Sequence, residues 1–269
     1  MRVTSRARFL LVGLVGALVA SDAAAIPPPS VPLAKAVEQA DYVGVVEIAE
    51  SPTDKKFRAS APPIVTAKPV AVLKGDPKAN VRIVWQTFCI VCVIRDPETV
   101  EVVPPAVGEQ YMVFLVKDKD GTLGRLGYQW HFHKMPAAPT VRLQPSYDNS
   151  WRGVIEVSPA VAGPGEVVNY RFTRTRLAPD AWTGNESNLI AADIDVIDFT
   201  RKQVLDRKKP GERKSAPAVI EKGQTVVDVI DLTEAFGITK SGEYWVFHGR
   251  AFEGNAPLRF EVTDKFRKR

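Results

Sequence analysis

Short runs of β-branched and aromatic residues, separated by turn residues, recur along most of this 269-residue chain. In the first half these runs cover residues 42–48, 64–73, 81–85 and 111–116. Asp120-Gly121 follows the last of them, and an Asp-Gly pair is a strong hairpin signal. Many short strands joined by tight turns predict a mainly-β chain that begins with an antiparallel barrel or sandwich.

The N-terminus has the three parts of a secretory signal peptide. Three arginines precede an apolar run at residues 9–20, and Ala23-Ala24-Ala25 supplies small residues for cleavage. The run is too short for a spanning helix, which needs about 20 apolar residues. We therefore expect residues 1–25 to be removed and the chain to be secreted or periplasmic, with an uncleaved anchor as the alternative. No second long apolar run follows, so no transmembrane span is expected in the mature chain.

The mature chain is expected to form two domains. Three prolines in residues 136–150 predict a linker, which separates a first β-domain at 26–135 from a second at 151–264. The first domain is expected to open with a short amphipathic helix at residues 31–40, where apolar residues recur at helical spacing. The second has about seven short strands, a number and size typical of an immunoglobulin-like (Ig-like) sandwich, although it lacks the usual disulfide.

Charge gives a modest indication of partners. The formal net charge is +5, and removal of residues 1–25 takes away a net +2 and leaves +3. The tail at residues 265–269 carries four positive charges, so the rest of the mature chain is close to neutral. The tail could contact anionic surfaces weakly or be a solvated terminus. No basic stripe interleaved with aromatic residues is present, so nucleic-acid binding is not expected.

Three segments of the first half resemble a known family. They are residues 40–46 (ADYVGVV), 70–75 (VAVLKG) and 107–115 (VGEQYMVFL). Their order resembles the OB-like barrel of secreted bacterial relatives of tissue inhibitors of metalloproteinases and netrin modules, over roughly residues 31–135. The inhibitors chelate the protease zinc through an N-terminal Cys, whereas the mature chain is expected to begin at Ile26. No inhibitory residue is carried over, and protease inhibition is an analogy of shape.

The second half carries a weaker resemblance. Residues 222–225 (KGQT), 231–233 (DLT), 236–238 (FGI) and 241–244 (SGEY) are similar to the closing strands of Ig-like domains. Such domains occur beside secreted bacterial proteases and in some protease inhibitors. Since most of them are non-catalytic, the resemblance implies a binding role.

Cys89 and Cys92 are the only cysteines. An exported chain meets oxidising conditions, so a disulfide between them is one interpretation. Residues three apart in an extended strand lie about 10 Å apart, whereas a bridge needs Cα atoms within about 7 Å and hence a turn. A local disulfide in a bulged loop, buried free thiols, and a redox or metal site all remain open.

His131 and His133 form the second candidate site. On a strand their imidazoles share one face about 7 Å apart, a spacing that suits zinc or copper. A third and a fourth ligand are not evident, and a surface or packing pair is the alternative. A combined site with Cys89 and Cys92 is chemically attractive, although nothing in the sequence places the four residues together.

Other polar and aromatic residues suggest sites less strongly. Asp193 and Asp195 would share a strand face and could bind calcium, or could form the solvent-facing side of that strand. Four tryptophans could line a binding surface or fill the core: Trp130, Trp151, Trp182 and Trp245. Residues 201–215 are rich in charge and are expected to form an exposed loop.

The sequence predicts a binding role rather than catalysis. No nucleophile elbow, zinc-protease motif or phosphate loop is present, so no catalytic residue and no cofactor other than a metal is expected. We expect an exported, non-enzymatic binding protein with a protein partner, in its sharpest version a protease inhibitor. The alternatives are an extracytoplasmic thiol or metal-binding protein, and a structural component of the cell envelope.

Overall fold

The computed structural model describes residues 32–53, 56–85, 101–126, 132–145, 150–248 and 257–265. Strands dominate these residues, which confirms the prediction of a mainly-β chain. The described part also contains two short helices, α1 (Leu33–Gln39) and α2 (Leu232–Phe236). None of the described helices has the length and apolar character to cross a membrane. The predicted signal peptide at residues 1–25 and tail residues 266–269 lie outside the described residues.

The first half forms a closed five-stranded barrel. The strands of this half are β1 (Tyr42–Glu50), β2 (Phe57–Arg58), β3 (Ile64–Lys74), β4 (Val81–Val84), β5 (Glu101–Val102), β6 (Gln110–Lys117), β7 (Leu123–Arg125) and β8 (His133–Lys134). The barrel strands pair in the order β1-β3-β4-β7-β6 and back to β1. All of these pairs are antiparallel except β4–β7, which is parallel. Strand β8 adds to β6, and β2 pairs with β5 in a separate ribbon.

Local sequence signals account for the turns of the barrel. Gly75 ends β3 with φ of 106°, and Gly121 adopts φ of 86° between β6 and β7. These left-handed conformations favour glycine, and the turn predicted at Asp120-Gly121 is confirmed. The barrel interior is apolar and includes a stack of Trp85 on Phe132, whose ring centroids are 4.0 Å apart.

The second half contains two main sheets. Its strands are β9 (Val141–Pro145), β10 (Trp151–Ser158), β11 (Val161–Ala162), β12 (Asn169–Arg176), β13 (Trp182–Ser187), β14 (Ile194–Asp198), β15 (Gln203–Val204), β16 (Ser215–Ile220), β17 (Thr225–Asp231), β18 (Gly242–His248) and β19 (Leu258–Val262). One sheet has the order β17-β12-β10-β9 and the other the order β11-β19-β18-β14-β15, and β13 pairs with β16 as a separate ribbon. Strand β9 lies within the segment predicted as a linker and pairs with β10.

The two main sheets enclose a shared apolar core. Tyr170 and Ile230 of the four-stranded sheet belong to the same buried cluster as Tyr244 and Val246 of the five-stranded sheet. Successive residues of a strand point to opposite faces, so every second residue of β18 and β19 faces this core. The second half is therefore built as two sheets packed face to face.

A third apolar cluster joins the two halves. It contains Leu33 of α1, Phe114 of β6, and Trp245 and Phe247 of β18, all of them buried. The rings of Phe114 and Phe247 meet edge to face with centroids 6.2 Å apart. The five-stranded sheet is thus buried on both faces, one against its partner sheet and the other against α1 and the barrel.

Candidate functional site

Part of the sequence-predicted site lies outside the described residues. Cys89, Cys92 and His131 are there, so the disulfide and the histidine pair stay predictions. His133 is described in β8, where it is only 3% exposed. It lies opposite Met112, and the two side chains therefore share the face of β6 that meets the other half. Within the described residues, no group of three or more His, Cys, Asp or Glu side chains is placed to hold a metal ion.

The aspartates around β14 are paired with arginines and do not face open solvent. Arg213 holds the carboxylate of Asp193, which is 2% exposed. Arg207 donates to Asp195 at 2.5 Å, and desolvation raises the pKa of Asp195 although Arg207 opposes the shift. The arginines come from the segment predicted to be an exposed loop. The prediction that Asp193 faces solvent is therefore wrong, because Arg213 from the charged segment folds back over it and pairs with its carboxylate.

Trp245 lies in the core, which was one of the two roles predicted for the tryptophans. It is fully buried at the junction of the halves and stacks on Phe199 with ring centroids 4.3 Å apart. Its indole Nε1 donates to the Glu243 carboxylate at 2.7 Å. The buried ring therefore fixes the position of a carboxylate at the edge of the junction.

That carboxylate lies in a cleft of about 510 Å³ on the outer face of the five-stranded sheet. The floor of the cleft is one row of residues across three strands, in which Glu261 lies between Val161 and Glu243. One wall is Pro139 and Thr140, which precede β9. The cleft is the part of the sheet face beyond the apolar cluster that joins the halves.

The two glutamates on the floor are direct cross-strand partners. Side chains opposite each other on antiparallel strands lie about 4.5–5.5 Å apart at Cβ, and like charges in such positions repel. The Glu243 carboxylate has the Trp245 indole as a donor. The exposed Glu261 carboxylate has no hydrogen bond or ion pair to another described residue. A cationic group in the cleft would relieve this repulsion.

Arg259 adds a donor beside the glutamates. Its guanidinium lies over the Trp245 ring, 5.9 Å from the centroid, and Arg259 is part of the lining of the cleft. The cleft therefore combines two carboxylates, one guanidinium donor and the apolar surface of Val161 and Pro139. This mixture suits an extended peptide with a basic side chain, whose backbone carbonyls can accept from the arginine.

Sequence reasoning missed this cleft. In β19, Arg259 and Glu261 alternate with apolar residues, and this pattern marks one face of that strand as polar. The pattern does not reveal that Glu243 and Glu261 are neighbours, because the register between β18 and β19 is a tertiary property.

Comparison with known proteins yields no match to a family model and no match to a curated protein.

Proposed function

We propose that this chain is an exported, non-enzymatic binding protein that recognises a protein partner through the cleft beside β19. The observation that carries the proposal is the facing pair Glu243 and Glu261 in a cleft of about 510 Å³. Ligand sites commonly have volumes of about 300–1,000 Å³ with a few polar groups among apolar ones. Export rests on the signal-peptide pattern of residues 1–25.

The barrel supports the assignment of the first half as OB-like. Five strands close into a small barrel in which the order of pairing differs from the order in the chain, as in a Greek-key OB barrel. Barrels of this class present loops and sheet surfaces to their ligands. The likeness to inhibitors of metalloproteinases is one of shape. Inhibition of a protease is the most specific form of the proposal.

Two features support an Ig-like second half. The strand order β15-β14-β18-β19 follows the C′-C-F-G order of variable-type domains, and β17-β12-β10 follows E-B-A. Near the start of β18, the Tyr244 hydroxyl donates to the backbone oxygen of Lys240 at 2.6 Å. A tyrosine in this position that bonds back to the upstream backbone is a hallmark of the Ig-like class.

Two other functions remain as proposals. A thiol or metal protein would use Cys89, Cys92, His131 and His133, and a structural envelope component would use the basic tail. The first requires a bound metal or redox-active thiols in the exported chain. The second requires that removal of residues 265–269 changes how the protein fractionates with the envelope.

The binding proposal is tested by capture with matched variants. The mature chain, the double variant Glu243→Gln/Glu261→Gln and the control Glu221→Gln are immobilised and exposed to the secreted and envelope proteins of the source cells. Glu221 is exposed and lies outside the cleft, so it controls for the loss of a surface charge. We expect a protein that is retained by wild type and control and is bound at least about tenfold less by the double variant.

Two outcomes contradict the proposal. Either no protein is retained by the wild type, or the double variant retains the same proteins equally well. Because glutamine keeps the size of glutamate and can still accept from the Trp245 indole, a folding defect is not expected. A matching thermal unfolding curve checks this for each variant.

A further inference from the structure

The four-stranded sheet β17-β12-β10-β9 has an outer face that points away from its partner sheet. Tyr170 and Ile230 face the shared core, and because side chains alternate along a strand, their immediate neighbours face outward. On this outer face Leu143, Val227 and Val229 are 68%, 42% and 56% exposed, so no described element packs over them. Exposed apolar side chains grouped with polar neighbours on one face indicate an interaction surface.

Strand register fixes which residues are neighbours on this outer face. One row crosses the sheet from β9 to β17 and consists of Val141, Glu156, Arg171 and Val229. The next row runs parallel to it and consists of Leu143, Val154, Thr173 and Val227. In both rows the residues on the two edge strands are apolar. In the first row, a glutamate and an arginine lie side by side on the two central strands.

The charges of this glutamate and this arginine are available to a partner. Glu156 and Arg171 are direct cross-strand partners, yet no hydrogen bond or ion pair joins either side chain to another described residue. Opposite charges across an interface contribute specificity more than raw affinity. The outer face therefore carries one negative and one positive group at its centre, between two apolar edges.

A twofold axis parallel to the strands makes the outer face complementary to itself. An axis between β10 and β12, in the middle of the sheet, places a second sheet over the first with its strand order reversed. Glu156 then lies across from the partner's Arg171, and Arg171 across from the partner's Glu156. Strand β17 meets the partner's β9, so Val227 faces the partner's Leu143. Charges thus meet opposite charges, and apolar residues meet apolar residues.

The dimensions of the outer face agree with this arrangement and limit its strength. Facing sheets pack about 10 Å apart, a gap that an arginine and a glutamate extending from opposite sides can bridge. Packed sheets are rotated by about 30°, which displaces facing residues least near the axis, where the charged pair lies. Four strands and three rows give a flat area of roughly 400 Å² per copy. Stable complexes bury about 800 Å² per partner, so we expect a weak and reversible dimer.

We propose that the outer face of the four-stranded sheet binds a second copy of this chain face to face, with Glu156 of each copy paired to the partner's Arg171. The apolar residues of β9 and β17 cover each other at the two edges of the contact. This dimer does not depend on the proposed partner of the cleft beside β19. The cleft lies on the other sheet, so dimerisation leaves it open in both copies.

The test is sedimentation equilibrium of the mature full chain and of two charge-reversal variants, at concentrations from about 10 μM to 1 mM. We expect wild type to form a reversible dimer. Glu156→Arg places two positive groups against two positive groups, and Arg171→Glu places two negative groups against two negative ones. Each variant alone should therefore associate at least about tenfold more weakly than wild type. An equimolar mixture should regain association, because the positive pair of one chain then faces the negative pair of the other.

A second pair of variants tests the apolar edges without a change of charge. Val227→Ser is expected to weaken association at least about fivefold, because it removes an apolar contact twice in the dimer. Val219→Ser is the matched control, since Val219 is 63% exposed on β16 and lies outside the four-stranded sheet. This control should associate like wild type. Melting curves of all four variants identify any loss of folding, and Val227→Ser decides the test if a charge variant is destabilised.

Three outcomes overturn the proposal. The first is a wild type that remains monomeric up to about 1 mM. The second is a mixture of the two folded charge variants that associates no better than either variant alone. The third is association of wild type that neither the charge reversals nor Val227→Ser weaken, as pairing of two copies along the backbone edge of β17 would give.

Discussion

Glu109 illustrates, at the scale of one residue, how hydrogen-bond partners change the pKa of a carboxyl group. Its carboxylate accepts from the Tyr111 hydroxyl at 2.7 Å, from the backbone N–H of Ala106 at 3.0 Å and from the Lys134 ammonium. The hydrogen bond from Lys134 is the main reason that the pKa of Glu109 lies below its ordinary value, and the bond from Tyr111 adds to it. The same contact and burial raise the pKa of Tyr111, with burial as the larger cause.

Replacement of Glu109 by Gln is expected to change how stability depends on pH. The folded pKa lies below the unfolded value near 4.5, so ionised Glu109 stabilises the fold fully above about pH 4.5. This contribution is lost as the pH falls through the lower folded pKa. We expect the melting temperature of wild type to fall more steeply below about pH 4.5 than that of Glu109→Gln. Parallel curves would contradict a lowered pKa of Glu109 in the folded state, and Glu221→Gln should follow wild type.

At the scale of one element, β1 depends on a glycine that lets two strands approach. Gly44 pairs with β3 on one side and with β6 on the other. A Cβ built at this position would overlap the carbonyl oxygen of Ala71 and lie 3.1 Å from the Cα of Val72. Both obstacles are backbone atoms, which cannot move without opening the barrel.

We therefore expect Gly44→Ala to destabilise the barrel by roughly 1–3 kcal/mol, the range for forced overpacking. Gly124→Ala is the matched control, because Gly124 also lies in a barrel strand and its Cβ would meet no atom within 4 Å. Urea unfolding of both variants measures the difference. Equal midpoints for the two variants would show that the β1–β3 pair tolerates a side chain.

The elements were more predictable than their arrangement. Alternation in β4 and the glycine turn after β6 are local signals, so the existence of these elements follows from the sequence. The parallel β4–β7 pair that closes the barrel is a tertiary contact, and no local pattern reveals it. The candidate site was missed for the same reason, because Glu243 and Glu261 are 18 residues apart in the chain and meet only through strand register.

At the scale of the whole molecule, the two halves are joined by a buried apolar interface as well as by the chain that connects them. Side chains from α1, β1, β6, β14 and β18 form one apolar cluster. Interfaces between domains are usually more polar than this, and large apolar ones restrict relative motion. We infer that the barrel and the five-stranded sheet behave as one cooperative unit, which would hold the cleft beside β19 in a fixed shape.

Phe247→Ala tests this coupling, because Phe247 reaches from β18 to Phe114 of the barrel. Truncation of a buried Phe costs about 3–5 kcal/mol, and here the loss falls on the contact between the halves. We expect one calorimetric transition in wild type and two in Phe247→Ala, with a calorimetric enthalpy above the van't Hoff value in the variant only. Val229→Ala, on the exposed outer face of β17, should keep a single transition. A single two-state transition in Phe247→Ala would mean that coupling does not depend on this contact, and the fixed shape of the cleft would then need another source.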